Sequence, residues 1–515
     1  MSGAQLEVGN AEEVHSDTDF EVLIVGAGFG GIGAAIELIR KGVENFLILD
    51  KNDGVGGVWR VNTYPGVAAD LPFLLYSYSY APPRKCTRFF PTGAEVREYI
   101  EQIVDDYRLT DRILLNTNVA EAVWEERSHK WTVHLASGET LVSRFLICGI
   151  GPFSTAKMPD IPGIEDYQGK VIHTAQWDHD FNYSGNRIAV IGNGASGLQL
   201  IPELADIATS LVVFQRRPTW VAPKPDFAVP QFMSSLVRHA PLTRVFMRAV
   251  IAGMVDLLIT GLSVFHKRVP FMIPLMQRIG SQAYFLSVRD RELSKRLTPE
   301  YAPYCKAVSI SNRYLRTFTR DHVELVTVPI EKLTARDVVT RDGTLYEVDV
   351  LVCATGFKVM DDGAIPSFPT RGRNNTDLHR FWQEHRFQAY QGVSVPNFPN
   401  LFLITGPYAY PGGSWITMIE CTSKHAARAI AAARARGATA VEIRSGPHDR
   451  YWRKCLRRAR DTIWLSKRCA GSNSYVVDNH GDPVLIRPSL HCEMWWGNKR
   501  FPLGHYAYST TPASC

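Results

Sequence analysis

None of the nine cysteines forms a C-x-x-C pair, and no Cys/His spacing of the zinc-binding kind occurs, so neither a dithiol redox motif nor a structural metal is expected. Their odd number fits a reducing, cytoplasmic compartment rather than a disulfide framework. The N-terminus lacks the basic and then apolar run of a secretory signal. Met1 to Asp19 is polar and acidic and is expected to be a disordered tail. Charge of one sign is also scarce: 57 Lys and Arg against 51 Asp and Glu leave +6 over 515 residues. The basic residues are scattered and form no aromatic-interleaved stripe, so nucleic acid is not an expected partner. At 45% hydrophobic and 21% charged, the chain has material for two or three compact domains.

Glycine, by contrast, is concentrated where it carries chemistry. Gly26-Ala27-Gly28-Phe29-Gly30-Gly31 follows the apolar run Val22-Leu23-Ile24-Val25 and precedes helical spacing through Ala34, Ala35, Ile36, Leu38 and Ile39. Strand, tight turn and helix in that order form a dinucleotide loop: Gly26 turns the chain, Gly28 admits a pyrophosphate, and Gly31 lets helix and strand pack closely. The next strand, Phe46-Leu47-Ile48-Leu49, ends in Asp50, placed to accept hydrogen bonds from a ribose diol. A second loop, Gly192-Asn193-Gly194-Ala195-Ser196-Gly197, follows Arg187 to Ile191. The strand after it ends not in an acid but in Gln215-Arg216-Arg217. Two guanidiniums bind a 2′-phosphate that a carboxylate would repel, so this site reads as selective for NADPH over NADH.

These loops, the stretch Gly56-Gly57-Val58-Trp59, the run Tyr167-x-Gly169-x-x-x-His173-Thr174-x-x-Trp177-Asp178, and Asp349 to Phe357 together resemble the class B flavin monooxygenases. Within that class the chain is most similar to the Baeyer-Villiger monooxygenases, with Tyr167 where phenylalanine is usual. The resemblance implies an α/β fold with two Rossmann-like dinucleotide-binding domains, for FAD and NADPH, and a helical insertion. It implies that NADPH reduces the flavin, that O2 adds at the flavin C4a carbon, and that the resulting peroxide inserts one oxygen beside the carbonyl of an apolar ketone. Gly57, Trp59, Asp70 and Tyr76 would join Gly26, Gly28, Gly31 and Asp50 at the flavin. Gly192, Gly194, Ser196, Gly197, Arg216, Arg217 and Lys306 would hold NADPH, and His173, Thr174 and Trp177 would link the domains.

The chain departs from the family at one place that bears on mechanism. Relatives usually read Lys-Arg where this chain has Cys305-Lys306-Ala307-Val308, and that arginine is held to stabilise the peroxide and the oxyanion. Losing one preorganised donor costs on the order of 10²–10³ in rate. Asp70, in Ala68-Ala69-Asp70-Leu71-Pro72, matches the acid that orients the absent arginine. Asp70 and Lys306 are thus the candidate catalytic residues, with Arg60, Arg313 and Arg316 as alternative partners for Asp70 and an ordinary turn carboxylate as the plain alternative. Oxygenation of a soft nitrogen or sulfur needs the arginine less and stays open, as does an NADPH oxidase that has lost oxygenation.

The resulting organisation is a tail at 1–19, a first flavin part at 20–155, a first NADPH part at 156–222, an insertion at 223–302, a second NADPH part at 303–352 and a second flavin part at 353–515. Ala249 to Phe265 is strongly apolar but interrupted by Gly253 and Asp256 and flanked by Arg244, Arg248, Lys267 and Arg268. A membrane span, a membrane-surface contact over 249–275 and a buried helix of the insertion are all open for it, and the resemblance favours the buried helix. The aromatic stretch Pro407 to Trp415 suits a pocket wall, a lid or a packed turn. The Arg-rich segment 422–436 reads as a solvated amphipathic helix.

Overall fold

The computed structural model of the chain describes residues 19–360 and 363–511. The tail expected at 1–19 lies outside them, except that Asp19 opens a strand and pairs with Lys130. The first apolar run becomes β1 (Asp19–Val25), followed by α1 (Phe29–Ile39), β2 (Phe46–Leu49), α2 (Val58–Val61) and α3 (Gly93–Asp106). A capping box starts α3: the Thr92 side chain accepts from the Glu95 N–H while Glu95 accepts from the Thr92 N–H. Next come β3 (Ile113–Leu114), β4 (Val119–Glu125), β5 (Lys130–Leu135) and β6 (Thr140–Cys148).

A second unit contains β7 (Lys170–His173), β8 (Arg187–Ile191), α4 (Ala195–Leu204) and β9 (Ser210–Phe214). Two short strands, β10 (Val221–Ala222) and β11 (Ser309–Ile310), pair in parallel and close the neck of a helical insertion. Inside it lie α5 (Gln231–His239), α6 (Pro241–Val255), α7 (Leu262–Val264), α8 (Met272–Val288) and α9 (Arg291–Leu297). Beyond the neck come α10 (Tyr314–Thr317), β12 (Val323–Val326), the antiparallel set β13 (Ile330–Leu333), β14 (Asp337–Thr340) and β15 (Leu345–Glu347), and β16 (Val350–Cys353). The C-terminal third adds β17 (Thr370–Arg371), α11 (Leu378–His385), β18 (Leu401–Leu403), α12 (Trp415–Ala435), β19 (Ala440–Ile443), α13 (Ser445–Ala459), α14 (His491–Arg500) and β20 (Tyr506–Ser509).

The strands assemble into two nucleotide-type sheets. One has eight strands in the order β17-β4-β5-β6-β1-β2-β3, with β18 also paired to β6. The other has five, in the order β12-β9-β8-β16-β7, and all its pairs are parallel. Both put a glycine loop at the carboxyl end of a central strand, β1 or β8, where open parallel sheets bind ligands. The inner strands are apolar at every position because both faces are covered, in the second sheet by α4 on one side and by β13–β15 on the other: Val22 to Ile24 and Val350 to Cys353 are wholly buried.

The run from Tyr167 to Asp178 explains itself in this frame. The Tyr167 hydroxyl donates to the Val348 carbonyl at 2.8 Å, over Gly169, where a Cβ would come within 2.6 Å of the Asp349 carbonyl oxygen. Only glycine lets β7 sit at that edge, so Gly169→Ala is expected to lower the melting temperature and fray β7 from β16. Hydrogen exchange at Val171 and Ile172 unchanged from the parent protein would contradict this.

Two expectations are corrected. The segment Ala249–Phe265 is buried only in part: α6, its first half, has no buried residue and exposes apolar side chains, whereas Thr260 and Leu262 to Val264 are buried. Helical spacing identified the element but could not say that its apolar face looks outward. The segment 422–436 is not a solvated helix either. Thr422, Ser423, His425 and six alanines and isoleucines nearby are buried as α12 packs on α1, because small side chains on both allow close approach. Its arginines reach out from the edges, Arg428 over the Phe501 ring and Arg434 to Glu21.

Candidate active site

At the first loop the chain leaves β1 at Gly26, whose φ of +106° favours glycine. A Cβ on Gly31 would overlap the Gly26 carbonyl oxygen, so α1 begins hard against the strand end. Gly28 backs onto Gly57, with room of only 3.3 Å between a Cβ there and the Gly57 Cα. The loop after β1 and the Gly56 to Trp59 stretch thereby form one backbone cradle. Neither a capping side chain nor an acid occupies the first turn of α1, which leaves its N–H groups free for an anion. Asp50 is buried. One of its oxygens accepts from the Ala27 N–H at 2.6 Å, and the other from the backbone and side chain of Asn52 at 2.9 and 2.8 Å. Asp50 therefore orders the loop as well as offering remaining lone pairs to a diol. Trp59 is buried with its indole N–H unpartnered and meets the Tyr76 ring edge-on at 5.3 Å. This cradle fits a dinucleotide.

The second loop repeats the pattern. Gly192 has φ +106°, and a Cβ on Gly192 or Gly197 would overlap backbone, of Ala354 in the first case and Gly192 in the second. A Cβ on Gly194 would meet nothing within 4 Å, so that glycine faces open space at the uncapped start of α4, one turn from Ser196. Gln215 at the end of β9 is buried and accepts from Asn193 at 2.8 Å, which fixes the loop against the strand. Arg216 and Arg217 stand exposed beyond it. Lys306 comes to the same place: burial lowers its pKa first, and the charges of Arg217 and Arg216 lower it further. Three cations gathered with no carboxylate acting on Lys306 make a site that an anion stabilises.

Between the loops lies an aromatic chamber. Gln199 of α4 donates to the Ala68 carbonyl at 2.9 Å and accepts from the Tyr64 hydroxyl at 3.0 Å, which ties the second unit to the residues just before Asp70. Asp70 is exposed to solvent although protein atoms crowd around it. Enclosure raises its pKa, opposed by its own backbone N–H and by the charge of Lys224. Its field in turn falls on Tyr76, Tyr410 and Tyr475, whose pKa values burial raises first; that of Tyr475 is pushed up to about 12. Tyr410 stacks on Trp415 at 3.9 Å, and Phe153 meets Trp415, Tyr475 and Phe357 edge-on at 5.9, 6.4 and 5.9 Å.

None of the arginines considered from the sequence pairs with Asp70. Arg60 is held by Asp53 at 2.7 Å, Arg313 by Glu203 and Asp206 at 2.5 Å each, and Arg316 has no ion pair among the described residues. Lys224 is instead the cation whose charge acts on Asp70, while its own ion pair is with Asp226 at 4.0 Å. It lies after the strand β10, with its backbone clasped by Asn312 at 2.9 and 2.7 Å and its ammonium 5.4 Å from the Phe90 ring centroid. The sequence carried no signal for it. The Asp70 shift has a sign that can be tested. Below about pH 4 folded and unfolded chains both hold the proton; as pH rises, the unfolded carboxyl ionises first and stability falls. Asp70→Asn is therefore expected to melt higher than the parent protein at neutral pH, with the difference vanishing below about pH 4. A lower melting temperature for the variant at neutral pH would contradict the assignment.

His173, at the end of β7, ties that strand to the segment after β16. Its Nδ1 accepts from the Ala175 N–H at 3.1 Å, so Nε2 carries the proton and donates to the Gly356 carbonyl at 3.1 Å. Burial lowers its pKa, which keeps the ring neutral. Thr174 is buried and Trp177 stacks on Tyr183 at 4.4 Å. One further difference from the sequence reading stands beside Lys306. Cys305 and Cys469 form a disulfide with Cα atoms 5.2 Å apart, across 164 residues, a separation that gives no local sequence signature.

The region 23–239 matches the family described as pyridine nucleotide-disulphide oxidoreductase. Over 501 residues the chain is 33% identical to a Baeyer-Villiger monooxygenase of Pseudomonas aeruginosa, which covers 96% of this chain and 92% of that protein. The chain belongs to the Baeyer-Villiger monooxygenases. Like other members it combines a flavin-type and an NADPH-type Rossmann unit. It is also 33% identical over 507 residues to a FAD-binding monooxygenase of Aspergillus niger, covering 93% of this chain and 80% of that one. Its fold matches the crystal structure of cyclohexanone monooxygenase from Rhodococcus sp. Phi1 bound to NADP+ with a TM-score of 0.84, at 26% identity over 96% of this chain and 99% of that one.

Proposed function

We propose that this Baeyer-Villiger monooxygenase converts an apolar ketone to the ester or lactone, with FAD held by the first loop, NADPH by the second, and substrate in the chamber around Asp70. The balance is ketone, O2, NADPH and a proton giving ester, NADP+ and water. Bound flavin supplies electron transfer and oxygen activation. Gly26, Gly28, Gly31 and Gly57 would give it a backbone cradle, Asp50 would accept from its ribose, and Trp59 and Tyr76 would lie near its ring. Arg216, Arg217 and Lys306 would bind the 2′-phosphate of NADPH. The observation that carries the substrate class is the chamber's aromatic lining of Phe153, Phe357, Tyr410, Trp415 and Tyr475, with the Asp70 carboxyl beside it.

Where relatives usually have arginine, this chain has Ala307, and its side chain is a methyl group exposed beside Lys306. Lys224, whose ammonium lies 4.0 Å from Asp226 and whose charge also acts on Asp70, supplies the positive charge that a developing oxyanion needs. Asp226 holds that charge in place, and Asp70, with its raised pKa, can hold a proton. Ala307 also favours a second reading, oxygenation of a thioether or amine, which requires no oxyanion donor. Product analysis with a cyclic ketone and a thioether offered together separates the two: lactone formation supports the first reading, and sulfoxide alone the second. In the coenzyme site, Arg216→Ala with Arg217→Ala is expected to raise the KM for NADPH by about 10-fold or more while leaving that for NADH nearly unchanged. Equal effects on both coenzymes would remove the 2′-phosphate assignment.

A further inference from the structure

Apolar side chains on α6 and the helical turn that continues it (Asp256–Gly261) are turned outward in a regular stripe. Leu242, Val245, Phe246, Val250, Met254 and Leu257 recur at helical spacing, and Leu242 is 85% exposed, Phe246 68% and Leu257 70%. In a helix that served only to fill the fold, these positions would be the polar ones. Pro241–Val264 is long and apolar enough to cross a membrane by length and composition, yet only 11% of its most apolar stretch is buried. The charge pattern is equally uneven. Residues 231–289 hold seven Lys and Arg against Asp256 alone, which accounts for the chain's whole excess of +6. Asp256 is already engaged by His491 at 2.8 Å. Arg238, Arg268, Arg278 and Arg289 are exposed and make no ion pair among the described residues.

We propose that the outer face of the helical insertion docks on the surface of an anionic phospholipid bilayer. An insertion that turns an apolar stripe outward along α6, and whose residues 231–289 carry exposed unpaired arginines and no exposed acid, matches acyl chains under a negatively charged headgroup layer. A second copy of this chain is a poorer occupant, since a two-fold contact would set this face, carrying the entire charge excess, against itself. The helix lies along the bilayer rather than across it because its inner side is fastened to the enzyme. Arg248, midway along α6, donates to the carbonyls of Leu74 and Ser77 and stands 3.7 Å from Glu420. Thr260 donates to the Pro411 carbonyl at 3.2 Å, and Gly413 leaves no room for a Cβ beside Val255. The reverse side of the docked face thus carries the Tyr410 to Trp415 loop that walls the chamber, a layout suited to taking an apolar substrate from the membrane. That last point rests on the substrate class proposed above; docking itself does not.

The test is co-sedimentation of the flavin-loaded full chain with vesicles of phosphatidylcholine alone and of phosphatidylcholine with phosphatidylglycerol. Binding to the anionic vesicles is expected, about 10-fold or more weaker on the neutral ones and at high salt. Phe246→Asp with Leu257→Asp is expected to abolish it, and Arg268→Glu with Arg278→Glu to weaken it by about 10-fold or more. Both pairs lie on the outside, so flavin content and NADPH oxidation without vesicles should stay as in the parent protein. Equal sedimentation of parent and both variants, no binding to anionic vesicles, or a stable dimer that the Phe246 and Leu257 variant dissolves would each overturn the proposal. Loss of ketone turnover with vesicle binding intact would instead count against the proposed reaction.

Discussion

Replacing Lys224 by methionine is expected to cut ketone oxygenation on the order of 10²-fold and to divert NADPH oxidation into hydrogen peroxide. The reason is electrostatic. An oxyanion forming among aromatic side chains needs a fixed positive charge, and Lys224, held 4.0 Å from Asp226, is the cation whose charge also acts on Asp70. Ala307→Arg is the complementary change. Restoring a guanidinium at that position should raise coupling of NADPH to ester about 10-fold, and in that background Lys224→Met should cost much less than alone. A double-mutant cycle on ester and peroxide yields checks both. Additive effects would mean the two positions do not share a function, and no gain from Ala307→Arg would mean the missing guanidinium is not limiting. Lys224→Met leaves the nucleotide loops untouched, so flavin content and NADPH KM serve as internal controls.

The second large effect separates glycines by what lies around them. Gly31→Ala is expected to abolish flavin binding, because its Cβ would overlap the Gly26 carbonyl oxygen and force α1 away from β1. Gly194→Ala should fold normally, since its Cβ meets nothing within 4 Å, yet raise the NADPH KM where backbone must approach the pyrophosphate. The ratio of flavin to protein absorbance reads the first, and melting temperature with NADPH titration reads the second. A flavin-replete Gly31→Ala protein, or a Gly194→Ala protein that melts well below the parent, would contradict the division of labour.

Features that depend on near neighbours in the chain were legible in its sequence. Strand, glycine turn and helix are contiguous at both loops, and the acid or arginines that follow sit one strand further on. Tyr167, Gly169 and His173 were likewise recognisable as a pattern, although their partners Val348, Asp349 and Gly356 lie far along the chain. What could not be read was assembled by folding alone. Lys224 acts on Asp70 from beyond the neck of the insertion, and the chamber wall gathers Tyr76, Phe153, Tyr410 and Tyr475 from four separate segments. Cys305 meets Cys469 only because the C-terminal third packs onto the coenzyme site, where Arg217 also donates to the Gly471 carbonyl. The outward turn of the α6 stripe was hidden for a similar reason: apolar periodicity fixes a face but not its direction, which here is set by Arg248 anchoring the opposite side.

The central claim, that this cleft performs Baeyer-Villiger oxygenation with Lys224 and Asp70 serving where an arginine is usual, is tested most directly by turnover under isotopically labelled dioxygen. With FAD-loaded protein, NADPH and a cyclic ketone, the account predicts lactone carrying one labelled ring oxygen, at a yield that falls sharply in Lys224→Met. Quantitative hydrogen peroxide with no labelled lactone, or a lactone yield indifferent to Lys224, would contradict it.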